Sequence, residues 1–329
     1  MLNKLENKMN RYIFFSMKII WAIVACLVVT ACDSSSLSDE SLGFSDKKYP
    51  LVFAAQMSEM RPTRATTDGV WEGTELVAVK NVDMVKQYKM DVNGELSSAD
   101  PYYWQNMEES KLLTAWYPYS EVFPQRWSVE ADQHTFFDGQ TGYQKSDLLY
   151  APLKEYTFNS IEESANALVF YHQTARVVIN ILRLETVEKV EDVESVTIGD
   201  GENLFPLTGG LTITGEEKEI VNWEVSDIPE EQGYIIPHRL SVPNVISGIE
   251  CLSSYVALVI PQDMVNKKFI AVTLPWRTYY YVPKAGEANL EAGKEYVYTI
   301  IVKDPSLEVI SSDPSWIGND EDVIPTPMQ

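Results

Sequence analysis

The side chains that most often carry catalysis or bind metal ions are scarce in this sequence. It contains three histidines, His134, His172 and His238, and three cysteines. None of the histidines has a second histidine or a cysteine at the short spacing by which one helix or hairpin presents two ligands to a metal ion. We therefore interpret all three histidines as structural residues, and we predict neither a metal site nor a cofactor.

The sequence patterns of common enzyme sites are also missing. There is no His-Glu-x-x-His zinc helix, no Gly-x-Ser-x-Gly nucleophile turn and no glycine-rich loop for phosphates or dinucleotides. A pair of carboxylates could hydrolyse a glycosidic bond, but any pair picked from 48 acidic residues is arbitrary. We predict that the chain is not an enzyme, and a β-sandwich hydrolase is the weakest alternative.

Aromatic side chains offer a different chemistry, the stacking of sugar rings. The chain has 8 tryptophans and 18 tyrosines, and Trp104, Trp276 and Tyr279 are candidates for such a platform. The same residues at alternate positions of a strand fill the core of a sandwich. We favour the core interpretation.

The N-terminus is identified as a lipoprotein signal. An uncharged apolar run, residues 19–29, follows Lys18 and leads into Val29-Thr30-Ala31-Cys32. The run is too short to cross a bilayer core of ~30 Å, which takes about 20 apolar residues. The last four residues resemble the bacterial lipobox, whose cysteine sulfur receives diacylglycerol before cleavage. We therefore expect lipid on Cys32, an outer-membrane anchor, and a true start at Met17.

The remaining cysteine and the net charge exclude further classes of interaction. With Cys26 in the leader and Cys32 lipidated, Cys251 has no partner for a disulfide and is interpreted as a small buried hydrophobe. The formal net charge is −22. A nucleic-acid partner is excluded, because binding a phosphate backbone requires clustered lysines and arginines.

Hydrophobic periodicity predicts an all-β protein behind a tether. Residues 33–48 are small, polar and charged, and are predicted to form a disordered tether. Beyond them apolar residues alternate with a period of two in runs rich in Val, Ile, Thr and Tyr. Residues 184–193 are the best helix candidate. The predicted strands are residues 51–55, 75–79, 112–117, 168–170, 176–182, 195–198, 211–214, 255–260, 269–274, 278–282, 295–302 and 307–310.

Chain length predicts two domains. About 300 residues after the leader suffice for two domains of ~150 residues each. A polar connection, residues 152–166, lies between two β-rich regions, and we place the boundary near residue 160. The predicted division is a leader at 1–32, a tether at 33–48, an N-terminal β-sandwich at 49–160, a C-terminal β-sandwich at 161–303, and a tail at 304–329.

Several short segments, in a shared order, resemble the fimbrillin (Mfa-like) family of Bacteroidales surface lipoproteins. Each segment alone is a weak signal, but their order over residues 53–302, behind a lipobox, makes coincidence improbable. One departure is Gly73-Thr74-Glu75, where family members often have Gly-Asp. The segments are Phe53-Ala54-Ala55, Thr63-Arg64-Ala65-Thr66, Trp71-Glu72-Gly73, Ala115-Trp116-Tyr117-Pro118-Tyr119, Ser146-Asp147-Leu148-Leu149-Tyr150-Ala151, residues 169–177, Ile260-Pro261-Gln262 and residues 290–296.

The resemblance implies two transthyretin-like β-sandwich domains and a fimbrial subunit or surface adhesin. In polymerising members an arginine-specific protease removes an N-terminal strand, and the vacated groove accepts a strand from the next subunit, which is β-augmentation. The implied partners are other fimbrial subunits and the outer membrane, with a host or bacterial surface ligand left open. The runner-up hypothesis is a monomeric lipoprotein that binds a glycan or host ligand.

The same resemblance assigns roles to residues of this chain. The removable strand would be Leu51-Val52-Phe53, and the cleavage position would be Arg64 or Arg61. Of the two arginines, Arg64 is the better substrate because Pro62 directly follows Arg61. The donor strand would comprise Leu307, Val309, Ile310, Trp316 and Ile317, and the alternative is that this tail folds back on its own sheet.

Overall fold

Nearly all of the regular structure in the described residues is β-strand, as the alternating apolar pattern predicts. The computed structural model describes residues 49–51, 53–57, 71–158, 167–183, 193–215, 218–275, 277–303, 306–311 and 324–327. The complete helical elements within these residues are a short helix, α1 (Gly142–Lys145), and a 3₁₀ turn (Pro229–Glu231). The all-β class predicted from the sequence is confirmed.

The strands are numbered in chain order. Those before residue 160 are β1 (Tyr49–Pro50), β2 (Phe53–Met57), β3 (Leu76–Asn81), β4 (Met84–Met90), β5 (Glu95–Ser97), β6 (Tyr103–Trp104), β7 (Ser110–Tyr117), β8 (Arg126–Ser128), β9 (Phe136–Phe137), β10 (Gln140–Thr141) and β11 (Leu149–Thr157). Those after it are β12 (Leu168–His172), β13 (Ala175–Arg183), β14 (Ser195–Ile198), β15 (Phe205–Pro206), β16 (Thr208–Thr212), β17 (Asn222–Val225), β18 (Gln232–Gly233), β19 (His238–Arg239), β20 (Val245–Ile246), β21 (Ile249–Glu250), β22 (Ser253–Val259), β23 (Gln262–Asp263), β24 (Ile270–Leu274), β25 (Arg277–Tyr281), β26 (Asn289–Leu290), β27 (Glu295–Lys303), β28 (Ser306–Ser311) and β29 (Ile324–Pro327).

Seven strands close into a barrel in the first half of the molecule. Their order is β11–β12–β2–β5–β4–β3–β7, and β7 pairs back onto β11. Every pair is antiparallel except β12 with β2, which is parallel. Side chains alternate across this sheet. Leu113, Ala115 and Tyr117 of β7 point into the barrel, while Trp116 faces outward and contacts the ring of Phe123. A closed sheet leaves no free edge as long as each of its strands stays in place.

Two sheets pack face to face in the second half. The larger has the order β19–β22–β13–β27–β28–β29, and the smaller has the order β14–β24–β25. Val177 and Ile179 of β13 share one buried cluster with Val196 of β14 and Ile270 of β24. The two inner faces therefore form the core of a sandwich.

Residues 126–146 precede the predicted boundary but pack on the second half. β8 pairs with β16, and the side chain of the buried Gln133 donates to the Leu258 carbonyl at 2.7 Å and accepts from the Leu258 N–H at 2.8 Å. Gly142 begins α1 where a Cβ atom would lie 1.9 Å from the carbonyl oxygen of Asp132. Only glycine fits at this close approach of two backbone segments.

The strand predictions from sequence hold, and one connection needs correction. Every predicted strand overlaps a strand of the structure. The predicted link at residues 152–166 is wrong in its first part, because residues 152–157 belong to β11; Pro152, Lys154 and Glu155 made this strand look like a loop. The predicted helix lies outside the described residues except for Val193.

The division into two domains stays a prediction. Residues Lys48–Gln329 form one compact unit, and residue 160 lies outside the described residues. Strands cross the predicted boundary in both directions: β12 completes the barrel, and β8 joins β16.

Candidate functional site: the first strand and its groove

The first described segment of the chain, residues 49–51, packs on the barrel. β1 pairs with β6, placing Tyr49 opposite Trp104 and Pro50 opposite Tyr103. The Leu51 N–H donates to the Tyr102 carbonyl at 2.7 Å. Leu51 is only 2% exposed and belongs to the barrel core, so this segment buries apolar surface as well as making backbone hydrogen bonds.

β2 is the strand that closes the barrel between β5 and β12. It pairs with β12 at three positions, beginning with Ala55 opposite Leu168, and with β5 at only two, Phe53 opposite Leu96 and Ala54 opposite Glu95. Among the described residues no other strand joins β5 to β12. Loss of β2 would open the sheet there and expose two strand edges together with part of the core.

A surface cavity lies beside residues 49–51, the first described segment. Its volume is about 350 Å³. Its lining includes Pro50 and Leu51 of the first segment together with Tyr88, Leu96 and Pro101. The cavity would become more open if the first segment left, because Pro50 and Leu51 form part of its lining.

A tight turn, Asp91 to Glu95, holds β2 from the other side; we name it the Asp91 turn. The Asp91 carboxylate accepts the N–H groups of Asn93 at 2.8 Å and Glu95 at 2.7 Å. The N–H of Glu95 is the main cause that holds the pKa of Asp91 below its ordinary value. The ionised Asp91 carboxylate therefore stabilises the turn at pH values above the ordinary carboxyl pKa. This stabilisation is lost as the pH falls through the lowered pKa of Asp91.

Gly94 of this turn contacts β2 directly. Its carbonyl accepts the Ala55 N–H at 2.7 Å. Its φ of +84° is left-handed, and a Cβ atom there would lie 2.6 Å from the Ala55 carbonyl oxygen. The turn and β2 therefore fit together only because residue 94 has no side chain. This glycine is not among the residues predicted from the sequence, although the Asn93-Gly94 pair is a turn signal that marks it.

The two ends of the segment that carries the candidate cleavage positions both lie next to Phe170. Met57, which ends β2, lies opposite Phe170 in the sheet. Trp71, which follows the segment, contacts the ring of Phe170 with 5.5 Å between centroids. Arg61 and Arg64 themselves lie outside the described residues.

The predicted donor strip forms an ordinary strand in this single chain. β28 pairs antiparallel with β27, placing Leu307 opposite Val302 and Val309 opposite Ile300. Val309 is fully buried in the C-terminal core, and Ile310 packs against a smaller cluster on the other face. β29 pairs with β28 and forms the edge of the sheet. This arrangement is the fold-back alternative, while Trp316 and Ile317 lie outside the described residues.

The comparison with protein families decides where this architecture belongs. A model of the fimbrillin-like family matches residues 63–315. This chain belongs to the fimbrillin-like family. It is a family of structural fimbrial and adhesion proteins rather than enzymes, so the fimbrillin-like chain has its place at cell-surface fimbriae.

Solved structures show the same fold at low sequence identity. A protein of Bacteroides uniformis assigned to cell adhesion shares 18% identity, with a TM-score of 0.57, over 82% of this chain and 99% of the other. A second such protein, from Bacteroides ovatus, shares 17% identity, with a TM-score of 0.54, over 83% of this chain and 99% of the other. No curated protein matches this sequence.

Two residues of the fimbrillin-like segments contact each other. Asp147 and His172 are 25 residues apart, and an Asp147 carboxylate oxygen lies 2.9 Å from His172 Nδ1. Asp147 is 2% exposed. The pair ties β12 to the turn that precedes β11, so its role in the fold is to hold these two barrel strands together.

The other chemistry-bearing residues have structural surroundings. Trp104 and Tyr279 are buried, so neither presents a ring face for sugar stacking, and Trp276 lies outside the described residues. The fold brings His134 and His238 to 5.6 Å between ring centroids, and burial is the main cause that lowers the pKa of His238. In the described part of the chain no three potential metal ligands cluster.

The two remaining candidate residues are Cys251 and Cys32. Cys251 is buried, as predicted, and burial raises the pKa of its thiol. Cys32 lies outside the described residues. No helix within the described ranges has the length and apolar character needed to cross a membrane.

Proposed function

We propose that this fimbrillin-like chain is a structural subunit of a cell-surface fimbria, exported as a lipidated precursor and assembled by strand exchange. The observation that carries the proposal is the position of β2 as the single described link between β5 and β12. A strand in that position can be removed without removing any other strand of the barrel. Its departure turns a closed sheet into an acceptor for another extended segment.

The proposed switch is a cut in the segment between Met57 and Trp71, after Arg64. Before the cut, β2 is tied to the barrel through the chain itself. After the cut, β2 and the residues before it are held only by backbone hydrogen bonds and by side chains such as Leu51 and Ala55. Each Å² of apolar groove exposed by its loss costs ~25 cal/mol. That cost favours capture of a donor strand from another subunit.

The test is the state of the protein recovered from cells. A fimbrial shaft subunit should run as a ladder of oligomers that resists mild detergent, with a mature N-terminus downstream of Arg64. A protein that is monomeric at every concentration and still begins at Cys32 would contradict strand exchange and favour a monomeric surface lipoprotein.

The tail provides a prediction about the donor. Deletion of residues 304–329 is expected to leave a chain that folds but no longer extends polymers, because β28 and the tail beyond it are the proposed donor. Cooperative thermal unfolding reports folding, and electron microscopy of fibres reports assembly. A synthetic peptide of residues 304–329, added to processed protein, should block growth.

The outcome that contradicts this donor role is specific. Val309 fills the core of its own sandwich. If deletion abolishes the cooperative transition, the strip belongs to its own domain, and the fold-back alternative is correct.

The anchor provides a further prediction. Cys32→Ala is expected to abolish incorporation of a palmitate analogue, because the lipobox supplies the only cysteine near the mature N-terminus. The protein should leave the membrane fraction. Cys251→Ala is the matched control and should keep full label. Undiminished labelling of Cys32→Ala would contradict the lipoprotein assignment.

A further inference from the structure

The larger sheet of the second half ends in a strand with two alternating prolines. β29 forms one edge of this sheet and contains Pro325 and Pro327. It pairs antiparallel with β28 at four positions, and the two prolines lie at alternate ones. Because proline has no backbone N–H, the hydrogen-bonded pairs of this ladder must be the two that contain Ile324 and Thr326.

The backbone of both prolines therefore faces the outer edge of the sheet. In an antiparallel pair, the residues between hydrogen-bonded positions direct their backbone N and C=O groups away from the partner strand. At Pro325 and Pro327 this outer side carries carbonyl oxygens but no N–H group. A strand that joins an edge needs donors as well as acceptors there. Over its described length, β29 offers such a strand acceptors alone.

At the opposite edge of the same sheet, the outward N–H is already engaged. β19 pairs with β22, and the N–H of Leu240, just after β19, donates to the Ser254 carbonyl at 2.9 Å. N–H groups alternate in direction along a strand, so the Arg239 N–H points outward. It donates to His134 Nδ1, with 3.3 Å between the two nitrogens. The previous outward position is Pro237, which has no N–H.

Contacts on both sides position His134 to accept this hydrogen bond. Its own backbone N–H donates to the Asp132 carboxylate at 2.9 Å. The preceding residue, Gln133, is completely buried, and its side chain bonds to the backbone of Leu258 on β22. The ring of His134 lies 5.6 Å from that of His238 on β19, measured between centroids. The acceptor at this edge therefore belongs to a segment that is anchored on the same sheet.

We propose that Pro325, Pro327 and the hydrogen bond from Arg239 to His134 close both edges of the larger sheet to added strands. The inference rests on the proposed function and deepens it, because a chain that assembles by strand exchange carries an extended donor segment that any open edge could bind. The edges left when β2 departs are different, since neither β5 nor β12 contains a proline. Until a subunit donates its own tail, an incoming donor strand is therefore directed to the barrel and not to this sheet.

The first test uses the uncut chain, in which β2 still closes the barrel. Replacing both prolines, Pro325→Val with Pro327→Val, gives β29 two outward N–H donors. Two copies can then pair edge to edge, and their association constant should rise about tenfold or more, because each added hydrogen bond contributes to it. Sedimentation velocity over a range of concentrations measures this constant. The matched control is Thr326→Val, because the N–H of Thr326 already points towards β28.

The second test concerns the β19 edge. His134→Ala leaves the outward Arg239 N–H without its acceptor, and should raise self-association of the uncut chain in the same assay. His134→Asn is the matched control, because the amide oxygen of asparagine can accept the hydrogen bond in place of Nδ1. Thermal unfolding of each variant confirms that the monomer is folded.

The two hypotheses fail separately in these experiments. A folded variant that stays as monomeric as the unmodified chain would overturn closure of its own edge and leave the proposed function standing. Absence of fibres from the processed, unmodified chain would overturn the proposed function, whatever the self-association of the uncut variants. Self-association of both test variants, with both controls monomeric, supports the closed edges.

Discussion

Cells that make the Arg64→Ala chain are expected to display a surface protein that still begins at Cys32 and stays monomeric, whereas the unmodified chain is cut and polymerises. The reason is the position of β2, which closes the barrel between β5 and β12. While residues 58–70 stay intact, β2 cannot leave, and no groove opens for a donor. The expected effect on assembly is all or none. Mass spectrometry of the mature N-terminus and electron microscopy of fibres measure it.

The chain contains its own matched control for this experiment. Arg61→Ala removes the neighbouring arginine, which is followed directly by Pro62 and is the poorer protease substrate. It should leave processing and fibres unchanged. Polymers built from unmodified chains that still begin at Cys32 would contradict the switch, and would indicate an anchor or adhesin that keeps its first strand.

Gly94→Ala is expected to loosen the first strand in the uncut precursor. The left-handed backbone alone costs about 1–2 kcal/mol for any other residue, and the new Cβ would lie 2.6 Å from the Ala55 carbonyl oxygen. β2 must shift, and its hydrogen bond from Ala55 to Gly94 weakens. Amide hydrogen exchange of residues 53–57 should rise by at least about tenfold, the equivalent of ~1.4 kcal/mol.

Gly248→Ala separates the clash from the backbone strain. Gly248 has a similar φ of +80°, but nothing lies within 4 Å of the Cβ it would carry. This control should lower the free energy of unfolding without raising exchange in β2. Equal exchange of residues 53–57 in both variants would show that the Asp91 turn does not hold the first strand. Faster capture of the tail peptide by uncut Gly94→Ala would link this turn to strand exchange.

The strand prediction succeeded where burial leaves a period of two in the sequence. β13 and β27 are runs of alternating inward and outward apolar residues, and both were found within two residues of their ends. β11 was missed because Pro152, Lys154 and Glu155 lie in its middle. The backbone of these residues belongs to the sheet, but their side chains are not buried. β4 was missed for the same reason, since Lys86, Gln87 and Lys89 interrupt its buried residues.

Contacts between distant segments had no signal in the sequence. The Asn93-Gly94 turn and the Phe136-Phe137 hairpin are both visible as residue types, yet only the fold shows that the first touches Ala55 and that the phenylalanines of the second are exposed. The same holds for Asp147 with His172, and for His134 with His238.

The sequence by itself determined the class of this protein through an all-β periodicity and short segments, in a shared order, that resemble the fimbrillin-like family. Only the tertiary structure decided that β2 is the one described strand between β5 and β12. The physical reason is that alternation in a sequence reports which face of a strand is buried. The choice of neighbour is made through backbone hydrogen bonds, whose donors and acceptors are nearly the same at every residue.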